Sequence, residues 1–545
     1  MSRKRPPQHK PHGARPADRK PSHGRAAPAW LAPAIVYGVP VLAALWMHRG
    51  ALGAFLTTDD LILFERARGL VPFPATPWRW LSGQAYYRLL WPVFGVEPLG
   101  WHVVGWLLHG LATGLVVWWA RRLGANRTTA ALAALLFGTT AKARTVVWQV
   151  TGVGECLAAV FTLLALVAFA KAASGARRGA TGWHVAALLS KESVALAPLA
   201  ALAGAGPGTG VREWLRGAWP ALALSVAMWA YVLLARSSTG SLGGDAYAFG
   251  FGRHILEHLF TYTLWSADPL HLAGMIGNPP PLAWAAVALA VLAALVLFAY
   301  HSGSRAARAG LVLWAATLLP VLPLVNAVYE HYLYLPRAGF ALAIAAAVAG
   351  HGGRAKRWSW AGAGFLAAVH GLTAIMFLGA MKGALIPQLG LPRDSFLRRM
   401  EVIRNASRST RGRLGAGPVR VVIYTPPGAA RPFDTRTGEE ATSVTEYEFR
   451  HNLLEAMLDE GRGLRALEPA IAEVRFTERP GEPDSGWVLA TNIGDGRIAF
   501  HGAAPGAHAV MADFWERNGY PAAAASHRAA VAALDSTAAA AGAAR

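Results

Sequence analysis

Two aspartates stand side by side in the run Phe55-Leu56-Thr57-Thr58-Asp59-Asp60, just past a long apolar segment. An acidic pair beside a membrane core is costly unless it binds a cation or does chemistry. Other charges interrupt apolar stretches further on: Lys142, Arg144, Glu155, Lys191-Glu192, Arg236 and the run Glu330-His331-Tyr332-Leu333-Tyr334-Leu335-Pro336-Arg337. Carboxylates and cations gathered at one membrane surface suit one kind of reaction. Asp59 or Asp60 would take the proton from an acceptor hydroxyl, while Lys191, Lys142 and Arg144 balance charge on a phosphate leaving group. Glu155, Glu330, His331 and Tyr334 are then candidates for holding the acceptor or a cation. Nothing else in the chain competes: there is no P-loop, no dinucleotide fingerprint and no His/Cys array at zinc spacing.

Each candidate also has a plainer explanation. Aspartate is a favoured helix N-cap, so Asp59-Asp60 could cap a helix starting at Leu61. Lys191-Glu192 could be a structural ion pair, and Glu155 could answer a helix dipole. Lys142 and Arg144 could reach to lipid headgroups. Glu330, His331 and Arg337 could form an interfacial charge cluster, and Tyr332 and Tyr334 could be belt aromatics. His102 and His109 share one helix face and are expected to pack. Arg79 and Arg88 are expected to fix their loop on the membrane.

These residues are positioned by a membrane-embedded chain. Of 545 residues, 54% are hydrophobic and 15% charged, with long apolar runs between Trp30 and Ala380. The net charge of +21 sits in a terminal tail and in short loops, which fits the positive-inside pattern and excludes nucleic acid as a partner. One cysteine, Cys156, permits no internal disulfide. Residues 1–29 read as a disordered basic cytoplasmic tail. Residues 30–384 read as a transmembrane domain of about eleven segments. They are Trp30–Trp46, Leu99–Ala120, Thr128–Gly138, Val153–Ala170, two short helices within Trp183–Ala205, Ala218–Ala235, Leu282–Tyr300, Leu311–Val325, Ala338–Ala349 and Trp360–Met381. The two short helices form a hairpin turning at Lys191, because a Lys-Glu pair inside a single span would cost several kcal/mol. The loop from Arg236 to Pro281 has glycines at 240, 243 and 244, and an interfacial helix at Arg253–Trp265. Residues 385–535 read as a small soluble α/β domain, with strands at Val419–Tyr424, Ala472–Thr477 and Gly486–Ala490 and helices at His451–Leu458 and Ala509–Trp515. An Ala-rich loose tail, 536–545, follows.

The chain resembles the membrane glycosyltransferases of the GT-C fold that take sugars from polyprenyl-phosphate carriers. Within these it is most similar to the protein O-mannosyltransferase and aminoarabinose-transferase group, especially bacterial relatives of the transmembrane/tetratricopeptide O-mannosyltransferases. The resemblance rests on Thr58-Asp59-Asp60, Arg79-Trp80-Leu81-Ser82 and Tyr86-Tyr87-Arg88-Leu89-Leu90-Trp91-Pro92-Val93-Phe94-Gly95. It continues through Trp101-His102-Val103-Val104, Leu107-Leu108-His109, Trp148 with Glu155, Leu188-Leu189-Ser190-Lys191-Glu192 and Tyr332-Leu333-Tyr334-Leu335-Pro336. It spans roughly residues 30–350 and leaves the C-terminal domain uncovered. It implies that one of the two aspartates is the general base of an inverting displacement at the anomeric carbon, and that Lys191 lies near the carrier phosphate. Thr139-Thr140-Ala141-Lys142-Ala143-Arg144 replaces a segment that usually carries histidines, and Glu330-His331 replaces the usual Glu-Arg. The first departure favours direct phosphate pairing by Lys142 or Arg144 and leaves a divalent metal an open possibility.

The expected protein is therefore a multi-pass enzyme of a bacterial cytoplasmic membrane, with its N-terminus cytoplasmic and its C-terminal domain extracytoplasmic. Its partners would be a polyprenyl-phosphate-linked sugar, a protein or glycolipid acceptor, and membrane lipids. The alternatives are a transporter or flippase of a lipid-linked sugar intermediate and a non-catalytic scaffold. A flippase would need the cations but no carboxylate base.

Overall fold

A computed structural model of the chain describes residues 31–170, 176–205, 210–238, 248–268, 271, 281–325, 328–350, 356–386, 390–414, 418–424, 453–477, 486–492, 495–503 and 506–543. The basic tail expected at 1–29 lies outside these residues, as do 239–247, 269–270 and 272–280 of the expected glycine-bearing loop.

The chain as far as Gly383 builds a helical bundle. Helix α1 (Leu31–Met47) leads to α2 (Thr58–Ala67), α3 (Tyr86–Phe94) and α4 (Pro98–Arg122). Pro98 opens α4, where its missing N–H costs nothing. Asn126 caps α5 (Arg127–Gly138) by accepting the Thr129 N–H at 2.8 Å. The short α6 (Arg144–Val147), α7 (Val153–Phe169), α8 (Ala176–Ser190) and α9 (Leu199–Ala203) follow. After these come α10 (Val211–Ser238), α11 (His254–Ala267), α12 (Leu282–His301), α13 (Arg305–Leu318), α14 (Tyr334–Ala349) and α15 (Lys356–Gly383). Helices α13 and α14 cross in backbone contact: a Cβ on Gly310 would stand 2.4 Å from the Gly339 oxygen, and one on Gly339 would stand 2.3 Å from the Gly310 oxygen. Such close approach is how apolar helices pack where lipid removes the hydrophobic drive.

This is a helical membrane protein, though not one of eleven spans. Among the described residues, six helices are long and apolar enough to cross a membrane: Ala32–Gly53, Pro98–Arg122, Val211–Leu234, Ala283–His301, Glu330–Ala349 and Arg357–Gly383. The pair Arg127–Gly138 and Ala141–Val147, bent by 50°, makes a seventh if taken as one span. The remaining expected segments are helical but short. Helix α13 has 14 residues and α8 has 15, so each rises only ~20 Å against a hydrocarbon core of ~30 Å. Burial explains the error. Helices α5, α7 and α13 are apolar because most of their side chains face other helices, and a short apolar run does not say whether protein or lipid covers it.

The interruption at Ser190-Lys191-Glu192 is a true break. Lys191 is extended, with φ −158° and ψ 129°, and Glu192–Val194 is a 3₁₀ turn. The chain then doubles back, since Gly204 packs against Leu123 at the far end of α4. Lys191 thus stands at the turn of a helical hairpin.

The C-terminal part begins with the two-residue strands β1 (Leu385–Ile386) and β2 (Leu391–Pro392) and then helix α16 (Ser395–Thr410). Strands β3 (Val419–Tyr424), β4 (Ile471–Thr477), β5 (Trp487–Asn492) and β6 (Ile498–Ala503) form one sheet of order β4-β3-β5-β6. β3 runs parallel to β4 and β5, while β6 is antiparallel to β5. Helices Gly506–Arg517 and Pro521–Ala543 close the chain. The expected loose tail is helical through Ala543, as alanine's propensity favours. Residues 451–452 of the expected helix at His451–Leu458 are outside the described set, and its core appears as Leu453–Met457.

This part shares a core with the loop after α1. Leu56, Leu61, Phe64, Tyr87 and Trp101 pack in one cluster with Val402, Ile403, Leu458, Leu464 and Ile471. A Cβ on Gly463 would stand 2.5 Å from Leu61, so the two surfaces meet without a gap.

Candidate functional site

Local turns bring the candidate residues to one end of the bundle. Helix α2 starts at Thr58, so Asp59 and Asp60 both lie in its first turn. They face opposite ways. Asp60 is fully buried. Its Oδ2 accepts the Thr57 N–H at 2.8 Å, and its Oδ1 accepts the Thr151 N–H at 2.7 Å. Burial pushes the Asp60 carboxyl up to about 6, against the lowering effect of those two N–H groups and with a smaller upward push from Asp59. Asp59 is exposed, and the Gln149 side chain donates to its Oδ2 at 3.2 Å. The two neighbours therefore divide the work. Asp60 caps α2 and ties it to the Thr151 turn, while Asp59 is the carboxylate that faces out.

Thr151 leads into the second set of residues. The turn there is so tight that a Cβ on Gly152 would lie 2.0 Å from the Val146 oxygen. Four residues after Thr151, Glu155 forms an ion pair with Lys191. Lys191 also lies 5.4 Å from the centre of the Tyr332 ring. Its neighbour Glu192 points elsewhere: Arg79 grips it with two bonds of 3.0 and 2.7 Å, and the Trp78 indole adds a third of 2.9 Å. Lys191 and Glu192 therefore have separate carboxylate and guanidinium partners. Arg79, expected only to fix its loop on the membrane, locks that loop to the hairpin. Ser82 reinforces the contact by donating to the Ser190 carbonyl at 2.7 Å.

A third set lies around Glu330. Lys142 reaches its Oε1 at 3.2 Å and Arg144 its Oε2 at 3.4 Å. Arg144 is held further by Asp394 at 3.3 Å and by the Met381 sulfur at 3.1 Å. Both cations are buried. His331 stacks on Tyr329, with ring centres 5.3 Å apart and planes 14° apart, and leans on Tyr332 at 4.4 Å. Tyr334 is not part of this set. Its hydroxyl meets His109 Nδ1 at 2.7 Å inside the bundle, with Cys156 at 3.7 Å. His109 completes its bonding at the Gly138 carbonyl, 2.9 Å away, which accounts for it structurally.

An apolar groove of about 250 Å³ opens beside the third set. Val291 and Leu295 of α12, Ala341 and Ile344 of α14 and Leu366 of α15 form its walls. Arg337 and Asp268 stand at its polar end. Arg337 donates to the Trp265 carbonyl at 2.8 Å, and Lys142 lies 5.1 Å from the centre of the Trp265 ring. Trp265 thus stands between Arg337, which lines the groove, and Lys142.

Several of these residues went unremarked in the sequence. Gln149, Trp78, Asp394 and Arg399 carry no local motif. Arg399, on α16, feels the Asp59 carboxylate and Tyr329, while burial lowers its guanidinium pKa. Among the described residues, no three His, Cys, Asp or Glu side chains gather as a metal-binding group. No protein-family model matches this chain, and no curated protein matches it either.

Proposed function

We propose that the protein moves a sugar from a polyprenyl-phosphate carrier to an acceptor hydroxyl. The observation that carries this reading is a juxtaposition. An outward-facing carboxylate, Asp59, lies at the same bundle end as two buried cations, Lys142 and Arg144, and an apolar groove lined by Arg337 lies across Trp265 from Lys142. A lipid-linked donor needs all three. Its hydrocarbon fits an apolar groove between helices, and its phosphate needs fixed positive charge. The acceptor hydroxyl needs a base.

In this scheme Asp59 takes the proton from the acceptor hydroxyl as its oxygen attacks the anomeric carbon. The bond from that carbon to the phosphate oxygen breaks, and the configuration inverts. The electron pair leaves with the polyprenyl phosphate, whose charge Lys142 and Arg144 balance. Lys191 and Glu155 hold the hairpin turn beside Asp60, and Gln149 orients Asp59. The resemblance noted in the sequence supports an aspartate base and phosphate pairing by Lys142 or Arg144, though it would also bring Lys191, here paired with Glu155, near the carrier phosphate. It would set the reaction at the extracytoplasmic face of a bacterial cytoplasmic membrane, with Arg121 and Arg122 at the opposite end of α4 marking the cytoplasmic side.

The test uses the full-length protein in lipid vesicles with a panel of radiolabelled polyprenyl-phosphate sugars. Asp59→Asn is expected to lower kcat by roughly 10²–10⁴-fold, as loss of a general base does, while donor binding persists. A flippase would keep its activity in this variant. Wild-type transfer by Asp59→Asn would remove Asp59 as the base, and movement of the labelled lipid across the vesicle membrane without any transfer would overturn the enzyme reading in favour of transport.

A further inference from the structure

The C-terminal part touches both halves of the site, and the contacts differ in kind. On one side, the Thr58 hydroxyl donates to the Met457 carbonyl at 2.9 Å, next to Asp59. Arg404 reaches the Gly53 carbonyl at 2.6 Å, and Arg68 of α2 bonds the Arg465 carbonyl. On the other side, Asp394 uses its two oxygens for two tasks. Oδ1 caps α16 by accepting the Leu397 N–H at 2.9 Å, and Oδ2 holds Arg144 at 3.3 Å. Phe396, two residues on, lies 5.9 Å under the same guanidinium.

We infer that the C-terminal part is a clamp. It grips α2 through Thr58 and the shared core, grips Arg144 through Asp394, and so fixes the separation between Asp59 and the cation pair. Asp394 is then a positioning residue for the transfer proposed above, and the inference rests on that reading. The geometry accounts for it. Arg144 opens the four-residue α6, whose Val146 and Val147 fix the backbone in the core but leave the far end of the long guanidinium side chain to be placed by its partners. Its guanidinium is held from three directions instead, by Glu330, Met381 and Asp394. Asp394 is the one of these three that lies on α16's cap, so it makes the orientation of Arg144 depend on where the C-terminal part sits. A reaction that needs base and phosphate site within a fraction of an ångström of their working places gains from such a link.

The distinguishing variant is Asp394→Asn. Asparagine caps a helix as well as aspartate does, so α16 stays intact while the charge on Arg144's partner is lost. Asp394→Glu keeps the charge and serves as the rescue. In the full-length protein, binding of polyprenyl monophosphate is expected to weaken roughly tenfold in Asp394→Asn and in Arg144→Gln, with no further loss in the double variant. Asp394→Glu should recover much of it. Additive losses, or unchanged binding in Asp394→Asn, would overturn the clamp. A ligand-free arm separates the two readings: amide exchange over 141–147 should quicken in Asp394→Asn while α16 keeps its protection. If the wild type binds no polyprenyl monophosphate yet the exchange changes as stated, the transfer reading falls and the clamp stands. If exchange over 141–147 does not change, the clamp falls whatever the ligand does.

Discussion

Two charged clusters meet at one end of the bundle, and they are built on opposite plans. Around the hairpin turn, bonds are short. Arg79 and Trp78 saturate Glu192 with bonds of 2.7–3.0 Å, and Lys191 has Glu155 to itself among the described carboxylates. Around Glu330, bonds are longer and shared. One carboxylate serves both Lys142 and Arg144 at 3.2 and 3.4 Å, and Arg144 divides itself between Glu330 and Asp394. A bidentate guanidinium–carboxylate pair with an indole donor resists exchange, since an incoming group would have to replace three bonds at once. A carboxylate stretched between two cations is replaced more cheaply. The first cluster holds the fold, and the second is the one where the carrier phosphate of the proposed reaction would enter.

The sharpest test of that contrast removes Glu192. Glu192→Ala removes the carboxylate that the Arg79 guanidinium and the Trp78 indole share. Breaking a buried ion pair from one side typically costs 3–5 kcal/mol. Arg79 keeps a third of its side chain in solvent, 34%, so a loss of about 3 kcal/mol is expected. Thermal unfolding of the purified protein reads it. Glu192→Gln, which still accepts from Trp78, should lose less than Glu192→Ala. A change within experimental error in the alanine variant would mean that the hairpin does not depend on this lock.

Next in size is a pH effect at Asp60, which ties α2 to the turn of the first cluster. Its folded pKa of about 6 lies above the ordinary value of 3.8. A carboxyl with a raised folded pKa binds its proton more tightly in the folded state. Its stabilising contribution is therefore complete below about pH 4 and is lost as pH rises through about 6. The swing is on the order of 2–3 kcal/mol. The unfolding temperature should fall across that window, and Asp60→Asn, which stays neutral, should remove that part of the slope. Asp59→Asn should leave the slope in place. A slope that follows Asp59 would reverse the division of labour between the two aspartates.

How much of this was readable in the chain follows from the range of the interactions. The hairpin at Lys191 was legible because the cost of a Lys-Glu pair inside a span is a local argument, and the break in helix α8 answers it. The aspartate pair stood out in the chain, but the difference between its two members did not. Which carboxylate turns inward depends on where Thr151 lies, some 91 residues away. Arg79 was misread for the same reason, as its partner is 113 residues on. Asp394 meets Arg144 across 250 residues with no motif at either end. The span count failed because apolar character marks burial without naming what does the burying. Helix α16 left a signal that went unused: Asp394 in cap position, then Met400, Ile403 and Ala406 buried at helical spacing.

The smallest expected effect sharpens the comparison from the side of the second cluster. Glu330→Gln removes the carboxylate that Lys142 and Arg144 share, but Asp394 still faces Arg144 and the amide oxygen can still accept a bond. Stability should therefore change by less than about 1 kcal/mol, the size of one modest hydrogen bond. Ligand binding should move the other way. With that carboxylate neutralised, polyprenyl monophosphate no longer competes with Glu330 for either cation, Asp394 still holding Arg144 in place, and its affinity should rise by roughly three- to tenfold, equivalent to about 1 kcal/mol. The paired measurement is thermal unfolding beside a binding titration on the same preparation. A loss of stability as large as that of Glu192→Ala, with no gain in phosphate affinity, would make the Glu330 cluster a second structural lock and leave the donor phosphate without a site between Lys142 and Arg144.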